Sequence, residues 1–207
     1  GKSTLMKCLF GVYKKDGGKI FVDGKEVDFK NSAMALESGV AMVHQELNQA
    51  LKRNVSENMW MGRLPVLHKF FPMIKEKKMH RETREILSQL GIRANPKTMM
   101  GRLSVSLRQM VEIAKAVSYD AKIIVFDEPT SSLTEKEVEH LFRIIDMLKK
   151  KGCGIIYISH KMEEILKISD EITVMRDGRH VVTKPANELT IEEIIRLMVG
   201  RELTERY

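Results

Sequence analysis

Ile123–Thr130 reads IIVFDEPT: four apolar residues in a row, two carboxylates, then a proline turn. A strand with one solvated side alternates apolar and polar residues, so an unbroken apolar run bounded by a turn fits a parallel strand buried on both faces. Open α/β sheets bind their ligands beyond the carboxyl ends of such strands, where Asp127 and Glu128 stand. Two acids before a proline also suit plain capping of a strand end, so the pair alone does not declare a site.

The flanking sequence carries the same architecture outward. Thr134 and Glu137 have capping-box spacing and open a helix that ends in lysines and Gly152. GIIYIS, 154–159, reads as a second buried strand running into His160. Beyond it lie the helix KMEEILKIS, a hairpin about Asp177-Gly178 and a last helix near Ile191–Val199. Upstream, SVSLRQMVEIAKAVS predicts a helix over 104–118. A helix over Ser3–Phe10 stops at Gly11, a hairpin turns at Asp23-Gly24, and a short helix, Ser32–Ser38, leads to the strand VAMV, which ends at His44-Gln45. Residues 46–102 change character: Asn54 stands as a cap three residues before Glu57, and KEKKMHRETREILSQLGI is a charged amphipathic stretch. Strands alternating with helices predict an α/β doubly wound, mostly parallel sheet flanked by helices. Its core would take residues 1–45 and 103–207, with 46–102 inserted as a helical subdomain.

Composition narrows the class. The 207 residues, 43% hydrophobic and 30% charged, are long and apolar enough to bury a substantial core. The longest apolar runs fall far short of the roughly 20 residues of a membrane span. Thirty-five Lys and Arg against 28 Asp and Glu give a net charge of +7, spread along the chain apart from the short cluster at 75–78. That pattern favours solvated helix faces over a nucleic-acid patch. Cys8 and Cys153 are too few for a disulfide framework, which suits a reducing cytosol.

The chain opens Gly1-Lys2-Ser3-Thr4, the second half of a G-x-x-x-x-G-K-[ST] phosphate loop. In such a loop the free N–H groups at a helix start face phosphates, the lysine reaches the β- and γ-phosphates, and the serine hydroxyl ligates Mg²⁺. With this motif present, Asp127 becomes a candidate Mg²⁺ holder, and Glu128 a candidate for orienting and polarising an attacking water. Gln45, at the end of a short strand, suits a residue that senses Mg²⁺ or that water. His160 ends the strand after the Asp-Glu strand, and its place after all the other motifs raises it above an ordinary strand-end histidine.

Gly1-Lys2-Ser3-Thr4, HQE at 44–46, LSVSLRQ at 103–109, IIVFDEPTSSLT at 123–134 and YISH at 157–160 stand in one order. In that order they resemble the ATP-binding cassette family of membrane transporters over essentially the whole chain. More narrowly, MVHQELN, ENMWMGR, VEIAKAVS, EPTSSLTEKEV, ISHKMEEI, VMRDG and MVGREL look like the first of two cassettes in bacterial importers of monosaccharides such as galactose and methyl galactoside.

The resemblance implies that two cassettes close head to tail around ATP. Lys2, Ser3, Thr4, Gln45, Asp127, Glu128 and His160 would form one side of a site, while Ser104 would serve the opposite one. It implies partners: a second cassette, membrane-spanning permease subunits reached through the region after Gln45, and, indirectly, a periplasmic sugar-binding protein. The place implied is the cytoplasmic face of the cell membrane. The family signature Leu-Ser-Gly-Gly-Gln is replaced by Leu103-Ser104-Val105-Ser106-Leu107, and the stiff Val105 is expected to impair the site completed by that signature. The strand feeding the phosphate loop and an aromatic residue that stacks on adenine are expected upstream of Gly1, so the chain alone is expected to bind ATP poorly. Other classes weighed are a soluble cassette ATPase acting on nucleic acid or ribosomes, a regulatory module without turnover, and a small-molecule kinase. The short amphipathic insert argues against the first and the motif order against the third; intact Lys2, Glu128 and His160 argue against the second for a longer parent protein, though not for this stretch alone, which is expected to be inactive by itself.

Overall fold

A computed structural model describes residues 1–65 and 75–200. Its elements are α1 (Lys2–Leu9), β1 (Ile20–Val22), β2 (Lys25–Val27), α2 (Ser32–Glu37), β3 (Val40–Val43), α3 (Val55–Met59), α4 (Glu76–Gln89) and α5 (Val105–Val117). They continue as β4 (Ile123–Asp127), α6 (Glu135–Lys150), β5 (Gly154–Ile158), α7 (Met162–Ile168), β6 (Glu171–Arg176), β7 (Arg179–Pro185) and α8 (Ile191–Val199). Residues 66–74 of the predicted insert and Arg201–Leu203 of MVGREL lie outside the described residues.

The central sheet has the order β3-β4-β5, all parallel, with Val43 opposite Phe126 and Phe126 opposite Tyr157. β4 sends Ile124 and Phe126 to one face and Val125 to the other. Both faces are covered, which explains its unbroken apolar run. On the first face, Phe126 packs among residues that include Ile113 of α5 and Leu141 and Ile145 of α6. On the second, Val125 joins Val40, Met42 and Ile158 beneath Phe10, Phe29 and Ala35. β6, β7 and α8 carry a separate small cluster around Ile172, Val174 and Ile194.

β5 departs from the sequence reading. GIIYIS was expected to be buried, yet Gly154 is exposed and Ile155, Ile156 and Tyr157 are half-buried. Among the described residues β5 has a strand neighbour on one side only. Its other side opens on a cleft of about 760 Å³ that is also lined by Lys2, Leu5 and Met6 of α1 and Ile172 of β6.

The hairpin turns follow the sequence. Asp23-Gly24 and Asp177-Gly178 all have positive φ, between 50° and 79°, as the tight turns of right-twisted hairpins require. Gly11 ends α1 at φ +69°, where an added Cβ would stand 2.6 Å from the Phe29 carbonyl oxygen.

Between 46 and 102 the described elements are α3, α4 and a 3₁₀ turn, Met100–Arg102. Asn54 caps α3 in a complete capping box with Glu57. Val55, Met59, Leu87 and Met100 share one apolar cluster with Phe126 and Ile113, so this region packs directly on the sheet's helices. Arg63 fastens it further. Its guanidinium lies 4.6 Å from the Trp60 ring and 4.1 Å from the Tyr119 ring. It also donates to the Ser118 carbonyl at 2.8 Å and to the Ser118 hydroxyl, both at the end of α5.

Candidate functional site

The carboxyl edge of the sheet gathers most of the residues singled out in the sequence. Gly1 precedes α1 without a side-chain cap, and the first internal bond of the helix runs from Leu5 N–H to the Gly1 carbonyl. The N–H groups of Lys2, Ser3 and Thr4 therefore have no partner within the helix, which leaves positive partial charge at its start. Ser3 Oγ donates to Asp127 Oδ1 at 3.1 Å, across 124 positions of sequence. Asp127 is only 3% exposed, because it closes a strand covered on both faces.

Glu128 follows with φ +51°, a left-handed backbone that costs a non-glycine residue about 1–3 kcal/mol. Its N–H donates to the Ile158 carbonyl at 2.9 Å, continuing the β4–β5 ladder by one rung and holding the strained residue in place. The side chain turns to the end of β5, where His160 Nδ1 approaches Glu128 Oε2 at 2.8 Å. An ionised carboxylate can only accept, so Nδ1 is the donor. Glu128 is mostly covered, with 15% of its side chain exposed, whereas His160 is 70% exposed and faces outward.

Thus Ser3 meets Asp127, and Glu128 meets His160, at two consecutive positions of one strand end. Gln45 is exposed two positions past β3, whose last residue, Val43, pairs with Phe126. Among the described residues its side chain takes no hydrogen bond to the others. Ser104 also stands apart: it caps α5, accepting the Leu107 N–H at 3.2 Å, with Val105 beside it 48% exposed.

Among the described residues no group of three or more His, Cys, Asp or Glu side chains could cage a metal ion. Mg²⁺ needs no such cage: it is commonly held by one or two carboxylates together with waters and substrate phosphates. A buried aspartate touching a serine hydroxyl, beside the open start of a helix, fits that donor set.

Several contributors escaped the sequence reading. His44 packs edge-on to Phe10 at 6.1 Å, and burial pushes its pKa down. Gln49 donates to the Arg108 carbonyl at 2.9 Å and to Glu112 at 3.1 Å, tying the turn after Gln45 to α5. Behind Glu128 and His160, Glu164 accepts hydrogen bonds from Thr130 and Tyr157. Gln49–Arg108 and Thr130–Glu164 join segments tens of residues apart and leave no local pattern. The one available signal was an acid four positions after His160 on a short helix.

Comparison with known proteins places these features in context. The family model described as "ABC transporter" matches residues 1–131. The galactose/methyl galactoside import ATP-binding protein of Clostridium perfringens is 62% identical over all 207 residues. The chain spans about 40% of the length of that relative. Among solved structures, a nucleotide-free ATP-binding cassette from an ABC transporter superposes with a TM-score of 0.79 at 24% identity, covering 98% of this chain and 81% of that one. Another cassette of an ABC transporter gives a TM-score of 0.78 at 27% identity, covering 95% and 79%.

Proposed function

This chain belongs to the ABC transporter family, and from that premise we propose that it forms the nucleotide-binding part of an ATPase that drives import of a monosaccharide. The observation that carries the proposal is the pairing at the end of β4: Ser3 on Asp127 at 3.1 Å, and His160 on Glu128 at 2.8 Å. One pair suits a phosphate-bound cation, and the other suits a water aimed at a phosphorus atom.

In this reading the free N–H groups of Lys2, Ser3 and Thr4 receive the phosphates of ATP, with Gly1 giving the close approach and the Lys2 ammonium neutralising the β- and γ-oxygens. Ser3 and Asp127, with Gln45 as a further candidate, hold Mg²⁺, which when bound screens the phosphate charge and polarises the terminal phosphoryl group. Glu128 accepts a hydrogen bond from the attacking water and takes up its proton as the new O–P bond forms and the β–γ bridging bond breaks, leaving ADP and phosphate. His160 fixes the Glu128 carboxylate through Nδ1–H and presents its other face outward. The strained backbone of Glu128 supports its functional assignment, since strain of this kind persists where the surroundings over-determine it.

A second cassette supplies the opposite wall of the site, and Ser104 at the start of α5 serves the reciprocal one. With exposed Val105 standing where the family signature has glycine, that reciprocal site is the weaker. Residues 46–102 form the arm that conveys closure to membrane-spanning permease subunits, which take sugar from a periplasmic binding protein. Among the described residues no helix is long and apolar enough to cross a membrane; a peripheral location at the cytoplasmic face rests on the likeness to import ATP-binding proteins. Galactose or methyl galactoside is the sugar class, on the likeness to the import proteins of that name.

The test is ATP turnover by the intact protein and its Glu128→Gln variant. Loss of a positioned proton acceptor should lower kcat by about 10²–10⁴-fold while ATP still binds. A variant that hydrolyses ATP at the wild-type rate would refute the assignment. Making the equivalent change in the partner cassette separates the two sites, and equal losses from both changes would sink the proposed asymmetry.

A further inference from the structure

Glu164 is a charged side chain in the interior, 9% exposed, on the face of α7 that packs behind the site. Its Oε2 accepts from Tyr157 OH at 2.8 Å, from Thr130 Oγ1 at 2.9 Å and, at longer range, from Ser159 Oγ at 3.4 Å. Its Oε1 pairs with Lys161 Nζ at 3.1 Å. Three hydroxyls and an ammonium thus converge on one carboxylate. A carboxylate only accepts, so every hydroxyl proton in the cluster has its direction fixed.

The donors hold the two segments that carry the proposed chemistry. Thr130 lies two residues beyond Glu128, and Ser159 and Lys161 flank His160 on either side. Ser159 Oγ also accepts the Lys161 N–H at 3.0 Å, tightening the turn around His160, and Lys161 Nζ reaches the Thr130 carbonyl at 3.4 Å. Burial, with the hydrogen bond to Glu164 and its charge, pushes the Tyr157 phenol well above its ordinary range, so it stays a donor.

We propose that Glu164 is a positioning residue for ATP hydrolysis: by gripping Thr130, Tyr157, Ser159 and Lys161 it holds the Glu128 loop against the His160 turn and maintains their 2.8 Å contact. Glu164 touches neither reacting group and acts through both. The inference rests on the ATPase reading above and extends it to a residue behind the site.

Steady-state hydrolysis by the intact protein tests it, with Glu164→Gln, Tyr157→Phe and Glu128→Gln made singly and with Glu164→Gln combined with Glu128→Gln. The amide keeps the shape but cannot offer acceptors to the hydroxyls and to Lys161 at once. A small misplacement of reacting groups costs up to about 10²-fold, so Glu164→Gln should lower kcat by at least about tenfold while KM for ATP stays within about twofold. Tyr157→Phe should lower kcat in the same sense by less. In the Glu128→Gln background, Glu164→Gln should cost little further, because the carboxylate contact with His160 that it maintains is already gone. Wild-type kcat in Glu164→Gln would overturn the proposal, as would a full additional loss in the Glu128→Gln background. Glu128→Gln hydrolysing at the wild-type rate would instead remove the ATPase reading itself, and the role of Glu164 with it.

Discussion

Replacing Arg63 by alanine should loosen the joint between residues 46–102 and the sheet. The side chain makes two ring contacts, with centroids at 4.6 Å and 4.1 Å, and donates to both the carbonyl and the hydroxyl of Ser118. Cation–π contacts of partly buried groups contribute about 1 kcal/mol each. Hydrogen bonds from a charged donor contribute about 1.5 kcal/mol or more each. Set against this gross gain of about 5 kcal/mol is Arg63 Nε, buried without a partner among the described residues, at a cost of about 1–3 kcal/mol that alanine would relieve. The net loss is about 2–4 kcal/mol, and for a domain of this size that is a Tm lower by about 4–16 °C. Calorimetry on the intact protein would read it. Arg63→Lys keeps the charge but loses the planar stacking surface and the fork, so it should recover less than half the loss. A double cycle with Tyr119→Leu should give a coupling of about 1 kcal/mol. Arg63→Ala melting within a degree of wild type, or a coupling near zero, would refute the reasoning.

Gly11→Ala should destabilise by more than about 1 kcal/mol in a chemical melt, because φ is +69° and the new Cβ would meet the Phe29 carbonyl at 2.6 Å; an unchanged midpoint would show that the α1 end repacks freely. Glu137 is held below its ordinary 4.5, first by the Thr134 backbone N–H, so its contribution to stability is complete above pH 4.5 and is lost as pH falls through the lowered folded value. Glu137→Ala should flatten the dependence of Tm on pH below 4.5, which acid melts of both proteins would compare. His44 has the opposite character: burial lowers it from 6.5, so the unfolded chain takes up a proton that the folded one resists, and stability falls as pH drops below 6.5. His44→Gln should remove that component, seen as a smaller loss of Tm between neutral pH and pH 5.

Much of the fold was legible because its signals are local. Positive φ at Asp23-Gly24 and Asp177-Gly178, the capping boxes at Asn54 and Thr134, and the apolar run ending in Asp127-Glu128 each depend on neighbours within a few positions. An apolar run, however, declares only that a segment can be buried. GIIYIS carries the same pattern as β4, but it lies at the edge of the described sheet and stays half-exposed, since burial depends on what stands alongside.

The sequence by itself determined which segments fold as strands and helices, and which residue types stand at the carboxyl ends of the strands. Both follow from periodicity and turn chemistry along the chain. Only the tertiary structure decided that Ser3 touches Asp127 across 124 positions, that the side chain of Glu128 turns toward His160, and that Glu164 gathers donors from β5 and from the loop after β4. The Glu128–His160 contact and the Glu164 cluster depend on β4 lying parallel to β5 with Asp127 opposite Ile158, and the Ser3–Asp127 contact depends on the start of α1 lying against the end of β4; each joins segments brought together only by the fold.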